Sequence, residues 1–214
     1  MVEVWGDYAL FTRPELKVER VSYDVMTPSA ARGLLEAIYW HPGVRWVIDR
    51  IYVLNPIRFT NIRRNEVSAT LSAAKARTVM TGGEADLYIN TQDCIQQRAA
   101  MVLQDVHYVI EAHFDLTDGA GPGDNPGKIS DIMRRRLEKG QCYHQPYFGT
   151  REFPARFRQW AGGEPVTAYP DGERELGLML YDMDYSNHED IRPQFFRAVL
   201  RRGVLDVREC EVFT

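Results

Sequence analysis

The sequence predicts an α+β protein in which helices cover one face of a β-sheet. Strand and helix patterns follow in the order strand, helix, strand, strand, helix, strand, which is the split order of ferredoxin-like (RRM-type) domains. A chain of 214 residues with 44% apolar and 11% aromatic residues is sufficient for such a core. After about residue 161 the pattern changes. We therefore predict a ferredoxin-like domain over 1–160, with an insertion at about 67–100, and a small antiparallel β appendage over 161–214.

The first strand is predicted over residues 2–11, and the first helix follows it with defined ends. Thr27 and Pro28 supply an N-cap hydroxyl and a proline at the first helical position. One apolar stripe with helical spacing comes next, formed by Ala31, Leu34, Leu35 and Ile38. His41, Pro42 and Gly43 end the helix.

The middle of the chain predicts three strands around the polar insertion. Residues 44–54 are rich in strand formers, and residues 56–66 continue them after a kink. Residues 67–100 show no clear period, and loops of that length are often functional. Residues 105–116 alternate apolar and polar side chains, which predicts a strand with one buried face and one open, polar face.

The second helix is predicted over residues 125–139, with Ile132, Met133 and Leu137 inward and Gly140 as its end. Residues 143–157 are predicted to be extended. In the appendage we expect short strands at 165–169 and 175–185, followed by a short helix near Arg192–Arg201.

Charge is segregated along a chain whose net charge is −4. Residues 128–158 carry eight basic side chains against three acidic ones, whereas residues 164–190 carry eight acidic side chains against Arg174 alone. The basic segment follows a glycine-rich loop, residues 119–127. This pattern indicates a surface that binds a polyanion and a separate acidic face turned to a protein partner or solvent, although a solvated basic helix is the alternative.

The apolar runs and the cysteine spacing indicate where the protein resides in the cell. No apolar run reaches the length of a membrane span, and the first residues lack the pattern of a secretory signal. The cysteines, Cys94, Cys142 and Cys210, have no paired spacing, which indicates a reducing compartment and argues against a structural zinc site or disulfide framework. We expect a soluble, cytoplasmic protein.

The sequence does not match a nucleotide-binding Walker A motif or a metal site, although single residues suggest each of them. Lys128 after a glycine-rich loop suggests a Walker A motif, but Pro122 stands where its first glycine is required and Ile129 where Ser or Thr is required. His107, Glu111 and His113 share one strand, but their spacing and the lack of a third strong ligand do not predict a metal site. We therefore expect neither a triphosphatase nor a metal or other cofactor.

Arginines indicate a nucleic-acid surface. Arginines on a ferredoxin-like sheet are typical of proteins that bind single-stranded RNA through stacking and backbone contacts. The candidate RNA-binding residues are Arg63, Arg64, Arg134, Arg135, Arg136 and Arg151.

Several motifs along almost the whole chain carry a family resemblance. They are Val4-Trp-Gly-Asp-Tyr-Ala-Leu-Phe-Thr12, Glu36-Ala-Ile-Tyr-Trp-His-Pro42, Ile62-Arg-Arg-Asn-Glu-Val67, Glu111-Ala-His-Phe114 and Gly149-Thr-Arg-Glu-Phe153. In this order and spacing they closely resemble the CRISPR-associated Cas-five subunit of type I-C systems, subtype d (also called c).

The resemblance implies a RAMP-type ferredoxin-like domain with a small β appendage. It also implies metal-independent cleavage of precursor CRISPR RNA at the base of the repeat hairpin. The family's protein retains the 5′ handle of the product and joins the Cascade complex with the Cas-seven backbone and the Cas-eight large subunit.

The resemblance also implies roles for individual residues. The family's catalytic tyrosine matches Tyr39, and its lysine matches Lys128. The position after that lysine is histidine in the family pattern but Ile129 here, which cannot exchange a proton. His41, His113 or His144 substitutes for it, or Tyr39 and Lys128 act alone at a reduced rate.

Two alternatives remain open beside the endoribonuclease. One is an RNA-binding structural subunit that caps the crRNA 5′ handle without cutting it, an alternative that Ile129 keeps open. The other is a general nucleic-acid binder that also grips DNA, for which binding would be salt-sensitive and indifferent to sequence.

Overall fold

The computed structural model describes residues 1–16, 18–187 and 189–214. It is a mixed α/β structure dominated by one antiparallel sheet. Its strands are β1 (Val2–Ala9), β2 (Arg20–Val21), β3 (Val44–Val53), β4 (Phe59–Val67), β5 (Ile95–Leu116), β6 (Arg156–Gln159), β7 (Glu173–Asp184), β8 (Arg192–Arg201), β9 (Val204–Asp206) and β10 (Val212–Phe213). Its helices are α1 (Pro28–Ile38), α2 (Ala73–Met80), α3 (Thr91–Cys94) and α4 (Pro126–Lys139).

The strand order is β10-β8-β9-β3-β5-β1-β6. In addition, β2 and β4 pair with β5, and β7 pairs with β8. The pairs along the main order are antiparallel, whereas β2 runs parallel to β5. The predicted strands at 2–11 and 44–54 are confirmed as β1 and β3, and the strand predicted at 56–66 is confirmed as β4 with a later start.

The strand β5 is longer than its sequence predicts. It begins at Ile95, ten residues before the predicted start, and its first half pairs with β4 as far as Val67 opposite Ile95. Asp105, at a φ of 54°, lies between the part that pairs with β4, up to Leu103, and the part that pairs with β3, from Tyr108 on, whereas β1 pairs on both sides of it. The segment predicted as an insertion therefore begins and ends in a β ladder, and α2 and α3 lie between its two strands.

The two long helices follow the predicted local signals. Thr27 caps α1 by accepting a hydrogen bond from the Ala30 amide at 3.2 Å. The predicted stripe of α1 is confirmed, and the helix packs on β3 and β7. Asn125 caps α4, and Gly140 ends it in the left-handed conformation, as predicted. Of the residues predicted inward in α4, Met133 and Leu137 are buried and Ile132 is partly buried against the core, while Ile129, which was not among them, is the most deeply buried residue of the helix.

The prediction of a helix near Arg192–Arg201 is wrong, because this segment is strand β8. Phe196, Ala198 and Leu200 are buried at alternate positions, the spacing of a strand. Apolar neighbours in between concealed that alternation in the sequence. The strand predicted at 175–185 is confirmed as β7.

Two further extended segments were also predicted incorrectly. Residues 165–169 form no strand and run as a loop in which the Ala168 amide donates to the Val53 carbonyl at 2.9 Å. Of the predicted extended segment 143–157, only its end enters β6, and an isolated bridge joins Tyr147 to Pro154. Turns that contain Pro146, Gly149 and Pro154 interrupt the rest.

The C-terminal strands share the sheet and the apolar core with the preceding chain. β9 pairs with β3, and Met179 and Leu205 belong to the same buried cluster as Leu35. Arg32 of α1 donates to both carboxylate oxygens of Asp182 on β7, at 2.7 and 2.8 Å. These contacts hold α1 against the sheet, so the position of its C-terminal end is well defined.

Candidate active site

Tyr39 stands where α1 ends. Its amide donates to the Leu35 carbonyl at 2.8 Å, and its own carbonyl accepts from the Trp46 indole at 3.0 Å. The guanidinium of Arg136 lies over the Tyr39 ring, 5.0 Å from its centroid, and also donates to the Ile38 carbonyl. The tyrosine is therefore buried and held on both its backbone and its ring.

Lys128 lies in the first turn of α4. Its ammonium donates to Asp124 Oδ1 at 2.9 Å and to the Gly123 carbonyl at 3.4 Å, yet half of its side chain is exposed. Asp124 Oδ2 accepts from the Gly121 amide at 2.9 Å. The glycine-rich loop thus orients the Asp124 carboxylate, and this carboxylate orients the Lys128 side chain.

His41 approaches the same aspartate. Its Nδ1 accepts from the Gly43 amide at 3.0 Å, so in the neutral ring the proton resides on Nε2. That Nε2 lies 3.6 Å from Asp124 Oδ2. The His41 ring stacks on Tyr39, with 6.3 Å between centroids and 30° between planes. We call Tyr39, His41, Asp124, Lys128 and Arg136 the Tyr39 cluster.

The charges of the cluster determine its protonation. Burial, and then the Asp124 carboxylate, raise the pKa of Tyr39, against a lowering by Arg136 and Lys128. The hydrogen bond from Lys128, and then that from the Gly121 amide, lower the pKa of Asp124. At neutral pH the cluster therefore offers a phenol, a carboxylate and an exposed ammonium side by side. It can orient a hydroxyl, hold an anion and, through His41, exchange a proton.

Ile129 points away from this surface. It follows Lys128 directly, but its side chain is fully buried in the core beside Met133. Successive residues of a helix point in directions about 100° apart, so a side chain at 129 does not face the Lys128 ammonium. The position for which the resemblance implies a histidine is a core position here.

Of the three histidines predicted as substitutes, the structure brings His41 into the cluster. His113 lies on β5, where its Nδ1 meets the Asp49 carboxylate at 3.0 Å. His144 follows α4 in sequence and stacks on Tyr147, with 6.4 Å between ring centroids.

The predicted RNA-binding arginines divide into exposed and anchored side chains. Arg63, Arg134, Arg135 and Arg151 are exposed, and Arg134 pairs with Asp131 at 2.8 Å. Arg136 is half-buried and belongs to the Tyr39 cluster. Arg64 on β4 pairs with Glu152 and is 14% exposed.

The Gly149–Phe153 motif has a structural role that the sequence did not indicate. Gly149 has a φ of +80°, and a Cβ there would lie 1.9 Å from the Leu10 carbonyl oxygen. The neighbouring Phe148 carbonyl accepts from the Leu10 amide at 3.0 Å. The glycine therefore allows this turn to pack against the end of β1.

Asp124 was missed by the sequence reasoning. The signal that could have found it is an acidic residue four positions before Lys128, on a loop that leads into a helix. Across residues 1–16, 18–187 and 189–214, no three or more His, Cys, Asp or Glu side chains gather closely enough to hold a metal ion. In that same part of the chain no helix has the length and apolar character required to cross a membrane.

Comparison with known families identifies this architecture. The model of the Cas5d family, described as CRISPR-associated protein (Cas_Cas5), matches residues 1–208. The chain belongs to the Cas5d family. The resemblance noted in the sequence is thereby confirmed.

Two Cas5d relatives cover nearly the whole chain. A protein of Mannheimia succiniciproducens named CRISPR pre-crRNA endoribonuclease Cas5d is 52% identical over 211 residues, which are 96% of this chain and 93% of the relative. A protein of Thermus thermophilus with the same name is 40% identical over 225 residues, which are 96% of this chain and 90% of the relative.

Solved structures share the fold at lower identity. A crystal structure of a CRISPR-associated protein superposes with a TM-score of 0.71 at 24% identity, over 100% of this chain and 95% of that one. A chain of a CRISPR RNA-guided surveillance complex superposes with a TM-score of 0.52 at 14% identity, over 99% of this chain and 88% of that one. At these identities the likeness concerns the Cas5d fold alone.

Proposed function

We propose that this Cas5d-family protein is a metal-independent endoribonuclease that cleaves precursor CRISPR RNA at the base of the repeat hairpin. The observation that carries the proposal is the Tyr39 cluster, in which a buried tyrosine, a histidine and a half-exposed lysine surround one aspartate. The printed names of two relatives, 52% and 40% identical, support the same reaction.

The reaction is a transfer of the phosphate within the RNA itself. The 2′ oxygen loses its proton and bonds to the adjacent phosphorus, while the bond from phosphorus to the 5′ oxygen breaks and that oxygen takes up a proton. The products carry a 2′,3′-cyclic phosphate and a 5′-hydroxyl. Catalysis therefore needs an orienting group, a cation on the crowded phosphorane and a carrier of protons.

The Tyr39 cluster contains one residue for each of these three catalytic roles. Tyr39, with its pKa raised, keeps its own proton and orients the 2′-hydroxyl by hydrogen bonding. The ammonium of Lys128, exposed on one side, stabilises the charge of the phosphorane. His41, whose Nε2 lies 3.6 Å from Asp124 Oδ2 and whose side chain is 31% exposed, exchanges the proton. In this assignment His41 takes the role that the family pattern gives to the position of Ile129.

We further propose that the fold is ferredoxin-like, with residues 161–214 as its β-rich appendage. The order β6-β1-β5-β3 supports this, because the fourth, first, third and second strands of a βαββαβ unit are neighbours in that order. The helices support it as well, since α1 lies between β1 and β3 in sequence and α4 lies between β5 and β6.

Exposed cations support an RNA path away from the cluster. We assign RNA binding to Arg63, Arg64, Arg134, Arg135, Arg136 and Arg151. The four exposed arginines contact phosphates, whereas Arg64 and Arg136, anchored by Glu152 and by the Ile38 carbonyl, fix the surface around them. After cleavage the protein retains the 5′ handle in a cytoplasmic Cascade complex, with the Cas-seven backbone and Cas-eight large subunit as partners. The superposition on a chain of a surveillance complex supports an assembly of this kind.

A second candidate function is a subunit that caps the 5′ handle without cutting it, with general binding of nucleic acid, DNA included. The observation in its favour is Ile129, because an isoleucine next to the lysine can neither donate nor accept a proton. Equal binding of RNA and DNA by the purified protein, without any cleavage, would support it.

The deciding experiment is cleavage of a panel of CRISPR repeat hairpin RNAs by the purified protein in EDTA. We expect one cut with a 2′,3′-cyclic phosphate end, and a loss of about 10²–10³-fold in rate for Lys128→Ala. Lys75→Ala, which removes an exposed lysine of α2, is the matched control and should cut normally. If the wild type binds the hairpins but cuts none, the capping function replaces the enzyme.

A further inference from the structure

A row of aromatic rings extends from the Tyr39 cluster into solvent. Trp40 and Tyr143 lie 6.4 Å apart between ring centroids, Tyr143 and His144 lie 5.7 Å apart, and His144 and Tyr147 lie 6.4 Å apart. We call these four residues the aromatic row. Trp40 and Tyr143 are 53% and 66% exposed, so they expose large ring surfaces to water.

Backbone hydrogen bonds hold the row in place. The Tyr143 amide donates to the carbonyls of Ala37 and Ile38, at 2.9 and 3.2 Å, and the His144 amide donates to Ala37 at 3.1 Å. The Ile38 carbonyl also accepts from Arg136, whose guanidinium covers the Tyr39 ring. One carbonyl at the end of α1 therefore joins the aromatic row to the cluster.

Cations flank the same region. Lys128, Arg135 and Lys139 are exposed and are spaced seven and four residues apart along α4, so they share one face of the helix. Residues 128–158, which include Tyr143, carry eight basic side chains against three acidic ones. A single RNA strand that lies along the aromatic row can stack its bases on the rings and place its phosphates beside these cations.

We propose that the aromatic row is a stacking site for the RNA bases next to the scissile phosphate, with Trp40 and Tyr143 as its principal rings. The proposal rests on the proposed function and adds a binding site to it. Trp40 follows Tyr39 directly, with Cα atoms about 3.8 Å apart. The hydrogen bonds from Arg136 and from the Tyr143 amide to the Ile38 carbonyl place the row at the edge of the Tyr39 cluster, so we expect a base on Trp40 to belong to a nucleotide near the phosphate held by Lys128.

The chemistry favours a base over an apolar protein side chain. Stacking on exposed rings with phosphates held by nearby cations is how proteins bind unpaired nucleotides, and it tolerates any base because each has a flat π face. The site would hold the splayed strand at the base of the hairpin, where the cut falls. It would position the phosphate on the cluster without itself taking part in the chemistry.

The test uses hairpin RNA that the wild type cleaves, made with a 2′-deoxy sugar at the attacking nucleotide so that it binds without being cut. We place 2-aminopurine at one position at a time on either side of the scissile phosphate. We expect its fluorescence to be quenched at one of these positions on binding to wild type, and to recover in Trp40→Ala or Tyr143→Ala. Each variant should bind about tenfold more weakly, the usual effect of losing one stacked base.

The controls separate stacking from other roles. Trp40→Phe and Tyr143→Phe keep a ring and should retain most of the affinity, and Tyr185→Ala removes another ring that is 52% exposed, in the acidic segment, and should change nothing. An abasic nucleotide at the quenched position should weaken wild type about tenfold and weaken Trp40→Ala no further.

The outcomes distinguish the two proposals. If wild type cuts the parent hairpin, but both alanine variants bind and quench like wild type, the stacking site is wrong and the enzyme remains. If both alanine variants bind RNA normally but fail to assemble with protein partners, the row is a protein-docking surface and the stacking proposal is overturned. If wild type neither binds nor cuts any hairpin, both proposals fail.

Discussion

The Lys128 ammonium donates to Asp124 Oδ1 at 2.9 Å, one helical turn away. The other oxygen of this carboxylate meets the Gly121 amide and lies 3.6 Å from Nε2 of His41. The Asp124 side chain is only 8% exposed, whereas that of Lys128 is 50% exposed. The carboxylate therefore orients Lys128 and His41 from the protein side, and the ammonium faces solvent. One carboxylate thus fixes the cation and the proton carrier that the proposed reaction needs.

Asp124→Asn should therefore separate catalysis from binding. We expect kcat to fall about tenfold, because Lys128 and His41 lose their common anchor. KM should stay constant or decrease, since the change removes a negative charge near the RNA phosphate. Steady-state cleavage over a range of hairpin concentrations measures both quantities.

Asp131→Asn is the matched control, because Asp131 also pairs with a basic residue of α4, Arg134, but is exposed. It should leave kcat unchanged. An increase in KM without a change in kcat for Asp124→Asn would contradict the anchoring role.

Restoring the family's histidine should not help this chain. Ile129→His would put an imidazole into an apolar core rather than beside Lys128, and we expect the free energy of unfolding to fall by about 2–4 kcal/mol. Denaturant unfolding measures this loss, and Ile129→Val, expected to cost about 0.5–1.5 kcal/mol, is the control. Faster cleavage by folded Ile129→His would show that the side chain reaches the cluster after all.

Local signals explain the parts of the fold that the sequence predicted. The caps at Thr27 and Asn125 and the stripe of α1 depend on neighbours in sequence, and the structure confirms them. β8 was missed because its apolar residues fall on both faces, and its strand character comes from pairing with β7, β9 and β10. The start of β5 was missed for the same reason, since the partner strand β4 defines it.

The candidate site shows the same division. Tyr39 and Lys128 could be proposed from the sequence, because Tyr39 lies within a motif of the resemblance and Lys128 directly follows the glycine-rich loop. The convergence of His41 and Asp124 could not, because 82 intervening residues separate them and the pairing of β3 with β5, continued by the hydrogen bond from the Thr117 amide to the Gly43 carbonyl, brings their two loops together. Ile129, in contrast, could have been placed in the core from the sequence, because it lies four and eight residues before Met133 and Leu137, the spacing of one helix face.

Tyr39→Phe should slow cleavage without loosening the fold. The ring remains under Arg136, so we expect an unchanged melting temperature, whereas the orienting hydroxyl is lost. The cleavage rate should fall about 10²-fold, the usual cost of a small misplacement of a reacting group. Tyr39→Leu, which also removes the ring, should lose both rate and stability. A normal rate for Tyr39→Phe would remove the tyrosine from the mechanism.

Gly149 should be required for the stability of the fold rather than for the binding of RNA. Gly149→Ala places a Cβ against the Leu10 carbonyl at a φ of +80°, and we expect a loss of roughly 3 kcal/mol or more in unfolding free energy. Gly33→Ala is the control, because Gly33 lies exposed within α1 with no atom within 4 Å of the added Cβ. This change should instead stabilise by about 0.5–1 kcal/mol. Equal stability of the two variants would contradict the packing described.

Glu3 should make the stability of the fold depend on pH. Its carboxylate is buried on β1 and accepts from Arg158 Nη2 at 2.9 Å, with His107 Nε2 at 2.8 Å. The hydrogen bond from Arg158 in particular lowers the pKa of Glu3, against the opposing effect of burial. The stability that it contributes is therefore complete above the unfolded glutamate pKa of about 4.3, and is lost as pH falls through the lower pKa of the folded state.

Glu3→Gln should thus lower the free energy of unfolding by roughly 1–3 kcal/mol near neutral pH, the usual range for hydrogen bonds to a charged group. The difference from wild type should shrink steadily as pH falls below about 4, because the wild-type carboxylate then becomes protonated. Denaturant unfolding of both proteins between about pH 6 and 3 measures it, with the exposed Glu84→Gln as a control that should match wild type throughout. A difference that stays constant with pH would mean that packing, and not the charge of Glu3, supplies the stability.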